Sequence, residues 1–216
     1  FDTIDVESTE ENRRADRDLL FTTEGIETCI SGVILFDETI RQAGADGTPF
    51  PKLLESKGII PGIKVDTGAK QLAMAEKGET VTEGLDGLRE RLAEYAELGA
   101  GFAKWRATYT ITDELPSQLA VDVNAHALAR YAALCQEAGI VPIVRVPRNE
   151  PETILRYMET GAMGIVVPQI NSAAEARAAV SAVKYPPVGN RGIGNVRGAG
   201  FGLKMSGEDY RELANR

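Results

Sequence analysis

Short apolar segments alternate along the chain with longer segments in which apolar residues recur at helical spacing. Five apolar segments predict β-strands: SGVILF (31–36), PGIKVD (61–66), GFAKWR (101–106), VPIVRV (141–146) and GIVVP (164–168). These segments are almost continuously apolar, as is typical of parallel strands covered on both faces. The pattern therefore predicts an α/β fold built on a parallel sheet.

Apolar residues spaced three and four apart predict the helices that connect these strands. The helical segments are 85–95, 119–135, 152–160 and 173–183, and Ser8 with Glu11 forms a capping-box pattern for a further helix. The repeated strand and helix predict a TIM-barrel-like (β/α) parallel barrel. Because a closed barrel needs eight strands, we expect this one to be incomplete or completed by a partner chain. Open sheet edges also predict a homo-oligomer.

Composition narrows the class of protein. The 216 residues fit a single domain (1–216), and the net charge of −8 argues against nucleic-acid binding. No apolar run is long enough to span a membrane, and the N-terminal segment is too charged for a signal peptide. Cys29 and Cys135 do not imply a disulfide framework. We therefore expect a cytoplasmic protein that binds neither membrane nor nucleic acid.

Charged residues stand where the predicted strands end, which is where ligands bind in parallel α/β sheets. They are Asp37, Glu38, Lys64, Asp66, Lys104, Arg106 and Arg145. Residues two apart on a strand share a face, so the four cations would converge inside a barrel. Burying them without partners would cost several kcal/mol each, which predicts a small anionic ligand such as a phosphate or carboxylate. Alternatively, Asp66 and acids on helices pair with them in a ligand-free network.

Other candidate sites give weaker signals. NRGIGNVRGAGFG (190–202) combines glycines with two arginines, which is typical either of an anion-binding loop or of a flexible connector. We expect His126 to be structural or solvated and Trp105 to belong to the core. No cluster of histidines, paired cysteines or carboxylates indicates a metal, so no metal ligand is assigned.

From about Thr3 to Val144 the chain resembles class I fructose-bisphosphate aldolases. The matching motifs are ESTEENRRADRDLLFTT, SGVILFDETI, PGIKVDTG, TEGLDGLRERLAEYAELGAGFAKWRA and PSQLAVDVNAHALARYAALCQEAGIVPIV. This resemblance implies a barrel that cleaves a ketose bisphosphate through a lysine Schiff base. It also implies that Lys64, Lys104 and Arg106 contact the substrate.

From about 144 to 203 the chain is similar to HpcH/HpaI aldolases, which are metal-dependent enzymes of 2-keto acids. The similarity runs through VRVPRNEPETILRYMETGAMGIVVPQINSAAEARAAVSAVKYPPVGNRGIG. It implies that Arg145 holds a keto-acid carboxylate and enolate oxygen, where the first family has a glutamate in PIVEPE. A divalent metal would be a cofactor only if this second chemistry is retained; otherwise we expect none. The family resemblance therefore changes near residue 144.

Together these features predict an aldolase-type carbon–carbon lyase for a phosphorylated or carboxylated sugar-like substrate. Lys104 is the candidate nucleophile, because neighbouring cations lower a lysine pKa, and Asp66 is the candidate base. Lys64, Arg106 and Arg145 are the candidate substrate-binding residues. Strands carrying the remaining catalytic residues of both families would precede Phe1, follow Arg216 or be absent. The alternative is therefore a noncatalytic chimeric or designed barrel scaffold.

Overall fold

The main sheet of the computed structural model contains five parallel strands that lie in chain order. The described residues are 3, 5–194 and 205–215. The strands are β1 (Gly32–Leu35), β2 (Ile60–Lys64), β5 (Phe102–Arg106), β6 (Val141–Arg145) and β7 (Gly164–Val166). Right-handed connections between such strands place their helices on one side, and the sheet curls into half of a barrel. The predicted incomplete α/β barrel is confirmed, although four strands end one or two residues early.

Eight helices accompany the strands in the described ranges. They are α1 (Glu10–Thr22), α2 (Asp37–Ile40), α3 (Phe50–Ser56), α4 (Leu88–Glu97), α5 (Gln118–Glu137), α6 (Pro151–Glu159), α7 (Ala173–Val183) and α8 (Gly207–Asn215). The predicted cap at Ser8 is wrong, because the Asn12 N–H donates to the Thr9 hydroxyl at 3.1 Å. The Ser8 carbonyl instead accepts a hydrogen bond from Arg13. In the part of the chain described, no helix is both long and apolar enough to cross a bilayer.

The core lies between the convex face of the sheet and the helices. Ile63, Ala103, Trp105 and Val144 project to this face and are fully buried. The burial of Trp105 confirms its predicted place in the core. Since strand residues alternate between faces, the burial of this set directs Lys64, Lys104 and Arg106 to the concave face.

The concave face has an apolar floor below the strand ends. Ile34, Ile60 and Val141 are exposed there. The ring of Phe102 lies across Gly62, where an added Cβ would stand 2.2 Å from the ring. A side chain at position 62 would have to displace this ring, so Gly62 allows Phe102 to lie across the floor.

An antiparallel hairpin, β3 (Gly68–Gln71) and β4 (Thr80–Glu83), follows the carboxyl end of β2. The sequence pattern did not predict it. The Thr82 hydroxyl donates to the Arg106 carbonyl at 2.7 Å. The Glu79 carboxylate accepts from the Ser117 N–H at 2.6 Å and from the Ser117 hydroxyl at 2.9 Å. The hairpin therefore holds both ends of the loop that follows β5.

Candidate active site

The carboxyl ends of β2, β5 and β6 bring the predicted cations together on the concave face. Lys64 is paired in register with Lys104, and Arg106 with Arg145. Neighbouring strands lie about 4.8 Å apart, so paired residues project side by side. We call Lys64, Asp66, Lys104, Arg106 and Arg145 the strand-end cluster. The convergence expected from the sequence is present.

Asp66 is the one carboxylate of this cluster, and its side chain is 4% exposed. Its Oδ1 lies 3.1 Å from Lys64 Nζ and its Oδ2 lies 3.4 Å from Lys104 Nζ. Lys64 Nζ also donates to the Asp66 carbonyl oxygen at 2.6 Å. One buried carboxylate thus balances two ammonium groups. This arrangement matches the ligand-free alternative for the two lysines, although the acid comes from the strand end instead of a helix.

Burial lowers the pKa of Lys104 below its ordinary value of 10.5. The charge and hydrogen bond of Asp66 oppose this shift, while the charges of Lys64 and Arg106 add to it. The net direction is downward because removal from water disfavours the charged ammonium form. Lys104 therefore has a larger unprotonated fraction than an exposed lysine, and the unprotonated amine is the nucleophilic form.

Arg106 and Arg145 form the open side of the strand-end cluster. Both are exposed, and neither side chain forms an ion pair or hydrogen bond with another described residue. Like charges on directly paired strand residues repel each other. A carboxylate or phosphate bound between them would relieve this repulsion and could accept paired N–H donors.

Phe36 adds an apolar wall beside the cations, and sequence reasoning did not identify it. Its ring is half exposed, and Lys64 Nζ lies 5.6 Å from the ring centroid. The signal was present in SGVILF, since residues 34 and 36 share the face that Lys64 joins. The strand-end cluster therefore has an apolar side chain next to its cations.

Tyr131 on α5 fixes the two strands that carry the arginines. Its hydroxyl lies 2.6 Å from the Ala103 carbonyl and 3.0 Å from the Ile143 carbonyl, and it accepts from the Ile143 N–H at 3.2 Å. The hydroxyl thus bridges β5 and β6 two to three residues before the strand ends. Such a bridge limits relative movement of Arg106 and Arg145.

Asp37 and Glu38, the other strand-end acids, pair with arginines at the end of α2 and on α1. Asp37 accepts hydrogen bonds from Arg41 and from a tyrosine hydroxyl. Glu38 binds Arg13 and Arg17, whose hydrogen bonds lower its pKa to about 2. These two carboxylates tie α2 to its neighbours and are not shared with the strand-end cluster.

The remaining sequence candidates lie elsewhere. His126 is exposed on α5. Residues 195–202 of the glycine and arginine motif lie outside the described residues. Within residues 3, 5–194 and 205–215 no three histidine, cysteine, aspartate or glutamate side chains are grouped as metal ligands. No metal ligand is therefore assigned among these residues, and the expectation about a cofactor stays a prediction.

Two family models match the chain. The model described as fructose-bisphosphate aldolase class-I covers residues 1–155, and the model described as HpcH/HpaI aldolase/citrate lyase covers residues 119–210. Both predicted resemblances are confirmed, and the two matches overlap across residue 144.

Curated relatives and a solved structure agree with the longer match. The chain is 60% identical over 155 residues to a probable fructose-bisphosphate aldolase class 1 of Xylella fastidiosa, covering 72% of this chain and 45% of the relative. It is 57% identical over 152 residues to fructose-bisphosphate aldolase 6, cytosolic, of Arabidopsis thaliana, covering 70% and 41%. The chain thus spans less than half the length of these relatives.

A solved fructose-bisphosphate aldolase of Plasmodium falciparum superposes on the chain with a TM-score of 0.68 at 33% identity, covering 84% of this chain and 60% of that one. This structural match covers most of the chain, and the class I aldolase family model covers residues 1–155. The chain belongs to the class I fructose-bisphosphate aldolase family.

Proposed function

We propose that the chain is an aldolase-type carbon–carbon lyase whose strand-end cluster binds a phosphorylated or carboxylated sugar-like substrate. One observation carries the proposal. Arg106 and Arg145 are paired in register and exposed, and they lie near Lys104, whose pKa is lowered by burial. The arginines supply donors for an anionic group. The amine of Lys104 is then held beside the bound molecule.

In the proposed reaction the unprotonated Lys104 amine attacks the carbonyl carbon of the substrate, and the oxygen, protonated by one proton from solvent, leaves as water to give an iminium ion. The bond between the α-carbon and the hydroxyl-bearing β-carbon then breaks: its electron pair forms a C=C bond to the former carbonyl carbon, and the C=N electron pair moves to nitrogen. Protonation of the resulting enamine at the α-carbon and hydrolysis of the iminium ion by water release the second product and restore the Lys104 amine. The hydroxyl proton on the departing fragment passes to a base. Asp66 lies beside Lys104 and stabilises its positive charge, so we assign it the stabilising role first and the base role second.

A noncatalytic barrel scaffold is the second candidate. The observation that favours it is that both carboxylate oxygens of Asp66 are engaged by lysines, which weakens the carboxylate as a base. Loss of general-base help commonly lowers a rate by about 10²–10⁴-fold. A scaffold of this kind would still bind anions at Arg106 and Arg145.

An assay that measures the aldehyde released from fructose 1,6-bisphosphate or from a 4-hydroxy-2-keto acid separates the two functions. We expect Lys104→Met to lose at least about 100-fold in rate. Lys52→Met, which changes an exposed lysine on α3, should keep the rate. Equal turnover by Lys104→Met and wild type would remove Lys104 from the mechanism. No turnover by wild type, together with anion binding that depends on Arg106 and Arg145, would favour the scaffold.

A cytoplasmic location and a homo-oligomeric state stay predictions. The name of the cytosolic Arabidopsis relative supports the first. The open edges of β1 and β7 support the second. Sedimentation at tens of micromolar would test the oligomeric state.

A further inference from the structure

The end of β5 is joined to the β3–β4 hairpin through threonine side chains. The Thr82 hydroxyl donates to the Arg106 carbonyl at 2.7 Å. Two residues earlier on β4, the Thr80 hydroxyl donates to the Thr108 carbonyl at 2.9 Å and lies 3.1 Å from the Thr108 hydroxyl. The contacts therefore advance by two residues along each segment, in opposite chain directions, as they do in an antiparallel pair.

A third contact continues this register in the loop that follows β5. The Thr110 hydroxyl donates to the Gly78 carbonyl at 2.7 Å. Because alternate residues of an extended chain share a face, threonines spaced two apart can all reach the facing segment. We call these three contacts the threonine ladder. It joins residues 78–82 to residues 106–110, and its first contact is made at the last residue of β5.

The hairpin that carries this ladder is itself held by α5. Asn124 is 1% exposed, and its side-chain amide donates to the Thr80 carbonyl at 2.9 Å. The Glu79 carboxylate accepts two hydrogen bonds from Ser117, which caps the same helix. Since both contacts tie the hairpin to a helix that packs on the sheet, β4 is a fixed support for the loop.

The Thr82 hydroxyl takes the place of a backbone donor that β2 does not supply. The Lys104 carbonyl accepts from the Val65 N–H at 3.3 Å, so it points toward the β2 side of β5. Carbonyls two residues apart on a strand point to the same side, and the Arg106 carbonyl therefore points there too. The strand pairing of β2 with β5 ends at Lys64 and Lys104. Thr82 thus extends the support of β5 to its last residue.

Arg106 depends on this support because its guanidinium is held by nothing else in the described residues. The side chain is exposed and has neither an ion-pair nor a hydrogen-bond partner there. The region that the guanidinium can reach is therefore set by the backbone at position 106. Pairing with Arg145 fixes this backbone on the β6 side, and Thr82 fixes it on the β2 side.

We infer that Thr82 is a positioning residue for anion binding, and that it holds the Arg106 backbone so that the guanidinium lies beside Arg145 in the strand-end cluster. The inference rests on the proposed function, which takes Arg106 as a ligand of the anion. Thr82 is 3% exposed, so it acts through Arg106 and does not touch the bound molecule. The threonine ladder thereby makes anion affinity depend on the hairpin.

Titration calorimetry with inorganic phosphate tests this role. Thr82→Val keeps the size of the side chain but removes the donor, and we expect it to bind phosphate about three- to tenfold more weakly than wild type. Thr82→Ser keeps the hydroxyl and should bind within about twofold of wild type. Thr160→Val is the matched control, because the Thr160 hydroxyl also donates to a backbone carbonyl at 2.7 Å, that of Tyr157. It should bind phosphate as wild type does.

A double-variant cycle separates positioning from a general loss of structure. In an Arg106→Met background, Thr82→Val should weaken phosphate binding no further, because the residue that it positions is already gone. Equal weakening in both backgrounds would overturn the positioning role. Wild-type affinity in Thr82→Val would overturn it as well.

Failure of the proposed function gives a different result. If wild type does not bind phosphate, or if Arg106→Met leaves the affinity unchanged, the anion site is wrong and this inference fails with it. Dependence on Arg106 without dependence on Thr82 would overturn the inference alone. If Thr82→Val does not fold, Thr80→Val is the second variant. It should weaken phosphate binding at least about twofold and only when Arg106 is present, and an unchanged affinity would overturn the inference.

Discussion

Replacing Asp66 by asparagine removes the carboxylate that Lys64 and Lys104 share. The substitution keeps the size of the side chain but cannot balance two ammonium groups. Lys104 has a side chain only 12% exposed, and that of Lys64 is 31% exposed. In the variant both ammonium charges remain near the concave face without a carboxylate partner. In wild type the Asp66 oxygens lie 3.1 Å from Lys64 Nζ and 3.4 Å from Lys104 Nζ.

The expected loss of stability follows from these exposures. Removing one partner of a fully buried ion pair costs about 3–5 kcal/mol. Because Lys64 is partly solvated, we expect the lower end, about 3 kcal/mol for Asp66→Asn. For a chain of 216 residues this lowers the melting temperature by about 6–12 °C.

The pKa of Lys104 should fall further in Asp66→Asn, because the opposing interaction with the carboxylate is lost. A lysine whose folded pKa lies below 10.5 binds fewer protons folded than unfolded at intermediate pH. Stability therefore rises with pH through that window. The loss caused by Asp66→Asn should be full below the folded pKa of Lys104 in the variant and should shrink as the pH rises toward the wild-type folded pKa, which itself lies below 10.5.

Thermal and urea unfolding at pH 7 and pH 9.5, followed by circular dichroism, measures both effects. Asp122→Asn, which changes an exposed aspartate of α5, is the control. Adding Lys104→Met to Asp66→Asn should recover part of the loss, with a coupling of about 1–3 kcal/mol. A melting temperature within about 2 °C of wild type, or strictly additive effects in the double variant, would refute the reasoning.

Three further predictions follow from other contacts. Arg145→Gln should weaken phosphate binding about tenfold, since a charge-assisted hydrogen bond contributes about 1.5 kcal/mol; unchanged affinity by calorimetry would place the anion elsewhere. Tyr131→Phe should lower the melting temperature by about 2–8 °C through loss of the β5–β6 bridge, and an unchanged unfolding curve would contradict this. Hydrogen bonds from Ser117 lower the pKa of Glu79 below 4.5, so its contribution is present above pH 4.5 and lost as the pH falls through the lower folded pKa. Glu79→Gln should flatten that acid dependence, and an acid-unfolding profile identical to wild type would count against it.

The sequence predicted the five strands and the face of the strand-end cluster because backbone geometry sets both. Alternation with a period of two places Lys104 and Arg106 on one face, with Trp105 on the other. Parallel strands also end at one edge. These rules need no knowledge of distant contacts, and they placed the cations correctly.

The partners of those cations could not be read from the sequence, because they depend on register between strands. Asp66 meets Lys104 across 38 positions, and only the pairing of β2 with β5 brings them together. The sequence left two alternatives for the cations, a bound anion and a ligand-free network. In the structure the two lysines pair with Asp66, and the two arginines have no partner among the described residues. The hairpin was missed because GAKQ and TVTE are short and lack an apolar pattern.

The burial of Arg191, which is 2% exposed, likewise depends on tertiary packing. The motif NRGIG shows only that glycines surround an arginine. The guanidinium carbon lies 4.5 Å from the centroid of the Tyr185 ring, and the Tyr185 N–H donates to Asn215 of α8 at 2.8 Å. Catalytic roles for Lys104 and Asp66 stay predictions.

Borohydride reduction in the presence of dihydroxyacetone phosphate, followed by peptide mass spectrometry, tests the proposed chemistry most directly. An iminium ion on Lys104 would be reduced to a stable secondary amine. We expect the added mass on the peptide that contains Lys104 in wild type and Lys52→Met, and none in Lys104→Met. No adduct in wild type, or an adduct of equal yield in Lys104→Met, would contradict the proposal that this lysine is the nucleophile.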